Sequence, residues 1–90
     1  MNAKRSIPPK YNPELVERAV LEVVIDIHPG VMTMAELSLR IAADPRDRLE
    51  IDAIIRAVRD LRGAGLLQAD RNERVEPTPA ALRAAALLVG

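Results

Sequence analysis

Few residues in this 90-residue chain are of types that do covalent or metal chemistry. There is no cysteine, so neither a disulfide framework nor a thiolate metal site can form, and the single histidine, His28, cannot build a histidine cluster. Ser6 and Ser38 have no histidine placed to serve as their base. Gly63-Ala64-Gly65 lacks the third glycine and the preceding strand of a dinucleotide-binding loop, and is better explained as a helix stop. No pair of carboxylates sits in an apolar setting. An aliphatic chain with one Tyr and no Phe or Trp offers no recognisable ligand box either. The residues point away from an enzyme, and neither a cofactor nor a metal is expected.

What remains is charge. Basic and acidic residues number 13 each, and eleven of the basic ones are arginine. A net charge of zero is a weaker electrostatic footprint than most nucleic-acid binders carry. The charge is unevenly spread: Lys4, Arg5 and Lys10 make the first dozen residues wholly positive, and the rest is slightly acidic. Several arginines lie at helical spacing from Glu50, Asp52 and Asp60, where solvated ion pairs are the plain alternative to any binding role.

The elements that must hold these side chains follow from periodicity. Apolar residues are 49% of the chain, almost all Ala, Val, Leu and Ile, which predicts one small domain with an aliphatic core. No apolar run approaches the roughly 18 residues of a membrane span, and no signal-peptide pattern follows MNAKRSIPPKY, so a cytoplasmic location is expected. Residues 1–12, with Pro8-Pro9, predict a flexible basic arm, and residues 13–90 the domain. Asn12-Pro13 opens a first helix running to about His28, with Leu15, Val16, Ala19, Val20, Val23, Val24 and Ile27 as its apolar stripe. Pro29-Gly30 ends it, and Val31-Met32 is a short extended piece. Thr33 and Glu36 form a capping box for a short second helix to about Ala43, and Asp44-Pro45-Arg46-Asp47 breaks it.

Asp47 and Glu50 repeat the capping-box pattern before the best-marked helix, over about residues 48–64. Ile51, Ile54, Ile55, Val58 and Leu61 are expected inward, leaving Glu50, Asp52, Ala53, Arg56, Arg59 and Asp60 outward. Gly63 and Gly65 stop it. A ragged hairpin over 66–76 turns at Arg71-Asn72-Glu73, and Thr78-Pro79 caps a last, Ala-rich helix. Its apolar surface, broken only by Arg83, leaves a face for a second chain.

The order helix, helix, helix, hairpin, helix resembles the winged helix-turn-helix family of bacterial transcription regulators, including the MarR-like and PadR-like groups. The similarity lies in Leu61-Arg62-Gly63-Ala64-Gly65-Leu66-Leu67, like that family's junction between recognition helix and wing. It lies also in Val75-Glu76-Pro77-Thr78-Pro79-Ala80-Ala81-Leu82, like its strand leading to a threonine-capped helix. The resemblance spans about residues 13–88, and it departs at Asp44 to Leu49, which is longer than the family's tight turn.

The resemblance implies a mainly α fold with a small β-hairpin, double-stranded DNA as partner, and a homodimer through the first or last helix. The third helix would enter the major groove and the hairpin tip would touch the backbone or minor groove. Arg56 is then the leading base reader, and Arg48, Arg59, Arg71 and Arg74 contact phosphates, with Arg46 and the basic arm as weaker candidates. Winged helices also serve as protein-interaction modules, so a protein partner without DNA is the alternative.

Overall fold

The computed structural model describes residues 8–89, the side chain of Val89 excepted. The described chain is mainly helical with one small antiparallel sheet, in the order α1 (Pro13–Ile27), β1 (Met32–Thr33), α2 (Met34–Ile41), α3 (Arg48–Gly63), β2 (Leu67–Ala69), β3 (Arg74–Pro77) and α4 (Pro79–Val89). No helix among the described residues is long and apolar enough to cross a membrane.

Each helix starts where a short polar side chain can take up orphan N–H groups. The Asn12 side chain accepts from the N–H groups of Glu14 and Leu15 at 3.0 and 3.3 Å, and Pro13 occupies the first helical position, where no donor is lost. The box at α2 is complete: Glu36 N–H donates to Thr33 Oγ1 at 3.1 Å and Thr33 N–H to Glu36 Oε1 at 2.9 Å. Thr78 Oγ1 accepts from Ala81 N–H and donates to the Gly65 carbonyl at 2.7 Å, which ties the start of α4 to the end of α3.

The end of α3 is a Schellman turn. Leu66 N–H reaches back to the Leu61 carbonyl and Gly65 N–H to that of Arg62. Of the two glycines only Gly65 takes a positive φ, +81°, so it alone supplies the left-handed residue the motif needs, and Gly63 is an ordinary helical residue. Gly30 answers a different demand: a Cβ there would lie 2.9 Å from the Ile27 carbonyl oxygen, to which its own N–H donates.

The sheet has the order β1-β3-β2, all antiparallel. β2 and β3 form the expected hairpin, with Leu67 opposite Pro77 and Ala69 opposite Val75. Pro77 is its last residue, one beyond the expected end of the hairpin at 76. The extended piece after α1 is a true third strand, Met32 pairing with Val75 across the other edge of β3. α1 packs most extensively on α3, with Val16, Val20 and Val24 inward at four-residue spacing against Ile54, Val58 and Leu61. Leu15, expected on that stripe, is exposed. The consecutive β-branched residues Val23, Val24 and Ile25 stay helical because Val24 is wholly buried in this core.

The link between α2 and α3 is a plain turn, not an additional helical turn. α2 stops at Ile41, two residues short of the expected end, and Asp44 closes the turn by accepting the Arg46 N–H on its side chain. Residues 1–7 of the expected arm lie outside the described residues. From Pro8 the chain is held on the domain, Pro9–Tyr11 forming a 3-10 turn packed against α1 and α3.

Candidate functional site

α3 presents a buried side made by Glu50, Ile54, Ala57, Val58 and Leu61. At 100° per residue, the line opposite this side passes through Asp52 and close to Arg59, with Arg48 on one side and Arg56 on the other flanking it. Arg48, Arg56, Arg59 and Arg62 are all exposed, and among the described residues none has a carboxyl partner within 4.0 Å. Arg56 lies round toward α1, where it shares a small cleft with Tyr11, Glu17 and Asp60. Arg59 therefore occupies the middle of the outward face and Arg56 its edge.

Three sequence expectations about this face are corrected. Glu50 was expected outward, yet it is 3% exposed and its carboxyl accepts from the N–H groups of Ala43 at 2.9 Å and Asp44 at 3.1 Å. The capping box at α3 is thus half made: Asp47 Oδ1 accepts from Leu49 and Glu50 N–H, while the Glu50 side chain goes to the end of α2 instead of back to Asp47. Ile55, expected inward, is 41% exposed, and Ala53, expected outward, is half-buried. The six large apolar residues of α3, Leu49, Ile51, Ile54, Ile55, Val58 and Leu61, exceed what one face of about 100° can hold, so Leu49 and Ile55 fall outside it.

The hairpin tip is closed by Asp70. Its Oδ1 accepts from Asn72 and Arg74 N–H at 2.8 and 2.9 Å, and its Oδ2 from Arg74 Nε at 2.8 Å. These contacts, the Arg74 N–H first, hold the Asp70 carboxyl below its ordinary pKa. Glu73 takes a left-handed φ of +60° to complete the turn, a position where glycine or asparagine would rest more easily. Arg74 is consequently neutralised and half-buried, whereas Arg71 is exposed at the tip with no ion pair among the described residues.

A contact invisible to local reading joins the chain's start to α3. Asp47 Oδ2 accepts from Tyr11 Oη at 2.6 Å and from Lys10 Nζ at 2.9 Å, and Lys10 Nζ lies 5.1 Å from the Tyr11 ring centroid. The Tyr11 hydroxyl, then Lys10, push the Asp47 pKa down to about 2. Because the folded value is depressed, the stabilisation is full above the unfolded pKa near 4 and is lost as pH falls from about 4 to 2. We expect the unfolding free energy to drop across that window in wild type and to drop less in Asp47→Asn, measured by urea unfolding at pH 5, 4, 3 and 2. Equal slopes in the two proteins would show that the contact does not form.

A groove of about 910 Å³ runs between α1 and α4, walled by Leu21, Ile25, Leu66, Ala84, Ala85 and Leu88. Arg18, Glu22 and Asp26 of α1 edge it, and Leu87 and Leu88 stand exposed on α4. Among the described residues no three His, Cys, Asp or Glu side chains gather as a metal site. Compared with protein-family models, with curated proteins and with solved structures, the chain matches none.

Proposed function

We propose that this is a small winged-helix DNA-binding protein acting as a transcription regulator, with α3 in the major groove and the β2–β3 hairpin as the wing. The unpaired arginines carry the reading: Arg48, Arg56 and Arg59 on α3 and Arg71 at the hairpin tip are exposed and free of carboxyl partners among the described residues. Guanidinium groups not already spent on carboxylates are free to pair with phosphates or with guanine O6 and N7. The element order and the β1-β3-β2 sheet support the winged-helix assignment. Arg74, held by Asp70, shapes the wing rather than contacting phosphate. Such a role places the protein in the cytoplasm, with the DNA.

A salt titration of binding to duplex DNA tests this. Affinity should fall steeply with salt, Arg71→Ala should lower the slope by about 1, and Arg56→Ala and Arg59→Ala should each weaken binding about 5- to 150-fold. No binding even at low salt would sink the proposal. It would favour the second reading, a winged-helix protein-interaction module, for which Leu49, 66% exposed on a helix that also presents Asp52 and Asp60 in a chain of zero net charge, is the supporting observation.

The α1/α4 groove suits a second copy of the chain. Apart from Arg83, α4 carries no charge, while the α1 edge of the groove carries Glu22 and Asp26 against the single cation Arg18, so it is acidic on balance. In a two-fold pairing, Arg83 of each copy meets the acidic edge of the other as Leu87 and Leu88 enter the groove. Sedimentation should show a dimer at micromolar concentration and a monomer for Leu88→Asp. A wild-type monomer at high micromolar concentration would remove the paired arrangement of α3 helices.

A further inference from the structure

We infer that Asp52 is a sequence-selecting residue that requires a cytosine at one fixed position of the stretch each α3 helix reads. The inference rests on the reading of α3 as the helix in the major groove. Asp52 lies on the line directly opposite the buried side of α3, between Arg48 and Arg56 at four residues before and after it. Both neighbours are at ion-pairing spacing, and the Asp-to-Arg order toward Arg56 is the favourable one. Yet no basic nitrogen lies within 4.0 Å of its carboxyl among the described residues. The carboxyl is exposed and uncommitted at the centre of an arginine-bearing face.

A carboxylate only accepts hydrogen bonds. It is repelled by phosphate, by guanine N7 and O6 and by thymine O4, and in the major groove only the cytosine N4 and adenine N6 amines can donate to it. Adenine N6 is flanked by the acceptor N7, which opposes a second carboxylate oxygen, so cytosine is the match. From Asp52 to Arg59 the helix advances about 10.5 Å, roughly three base-pair steps, so both can read the same short stretch. Asp52 thus penalises every site that lacks the cytosine. With a net charge of zero, the chain has little non-specific attraction to mask that penalty.

Enrichment from a pool of duplexes with a randomised core, run with wild type, Asp52→Ala and Asp52→Asn, tests the assignment. Asp52 is exposed, and circular dichroism of each variant confirms that the fold is kept. Wild type should enrich a sequence with one invariant cytosine in each half-site, or a single one if the protein binds as a monomer. In Asp52→Ala the preference at that position alone should vanish, and the affinity ratio between the enriched and a scrambled duplex should fall about 5- to 150-fold. Asp52→Asn should shift the preference toward adenine, whose N6 and N7 an amide can pair with together. If Asp52→Ala enriches the same sequence and tightens both duplexes equally, the carboxyl only repels phosphate and the inference is overturned while DNA binding stands. If wild type binds no duplex at low salt, both the inference and the reading beneath it fail.

Discussion

Replacing Glu50 with Ala lowers the stability of the protein by about 2–3 kcal/mol, more than any other charged side chain on α3. The carboxyl is 3% exposed and accepts one N–H on each oxygen, from Ala43 and Asp44. A hydrogen bond to a charged acceptor contributes about 1.5–3 kcal/mol, and a buried donor left unpaired costs about 1–3 kcal/mol. Ala43 and Asp44 are themselves exposed, so water recovers part of the loss, which sets the figure below the full sum of two such bonds. In a domain of this size the change corresponds to roughly 10–20 °C in Tm. Glu50→Gln should lose somewhat less, about 1–2 kcal/mol, because an amide keeps one acceptor but turns its NH₂ toward the other N–H. Urea unfolding of the three proteins at neutral pH is the measurement, and a Glu50→Ala protein within 0.5 kcal/mol of wild type, about the spread of ordinary surface substitutions, would mean that this side chain does not join α2 to α3. The consequence reaches function, since the same two bonds set where α3 starts after the turn and so how its outer face is presented.

The second large effect separates two neighbouring isoleucines. Ile54→Ala should cost about 2–5 kcal/mol, because Ile54 is 1% exposed in the core and the void left behind adds to the lost transfer energy. Ile55→Ala should cost under about 1 kcal/mol, because 41% of Ile55 already meets water. The unfolding free energies of the pair, measured side by side, check the rotation of α3 about its axis. Similar losses at both positions would place the two equally in the core and turn Asp52 and Arg59 away from the centre of the outward face.

Much of the fold was legible because its signals are local. Asn12-Pro13, the Thr33/Glu36 box, Gly65 and Thr78-Pro79 act on backbone groups within five residues of themselves, so a helix start or stop can be read from the residues alone. The hairpin was legible in outline, though its turn uses Asp70 and a left-handed Glu73 where the usual Asn-Gly is missing. On the candidate site, Arg48, Arg56, Arg59 and Arg71 are exposed, whereas Arg74, grouped with them from the sequence, is half-buried against Asp70. Glu50 was misplaced by the same rule that succeeded at Glu36. A glutamate three residues after an N-cap can reach back to it or forward to another segment, and only the packing of α2 beside α3 selects between them.

By itself, then, the sequence determined the helices, their caps, the glycine stop and the hairpin, because each is written in hydrogen bonds and side-chain periodicity a few residues long. The tertiary structure decided that of the three isoleucines of α3, Ile54 is in the full core, Ile51 is half-buried and Ile55 turns outward. It decided that Met32 pairs with Val75, that Glu50 is spent inside, and that Lys10 and Tyr11 fasten to Asp47 more than 35 residues away. Those choices depend on partners distant in the chain, and a side chain's spacing along its own helix carries no information about them.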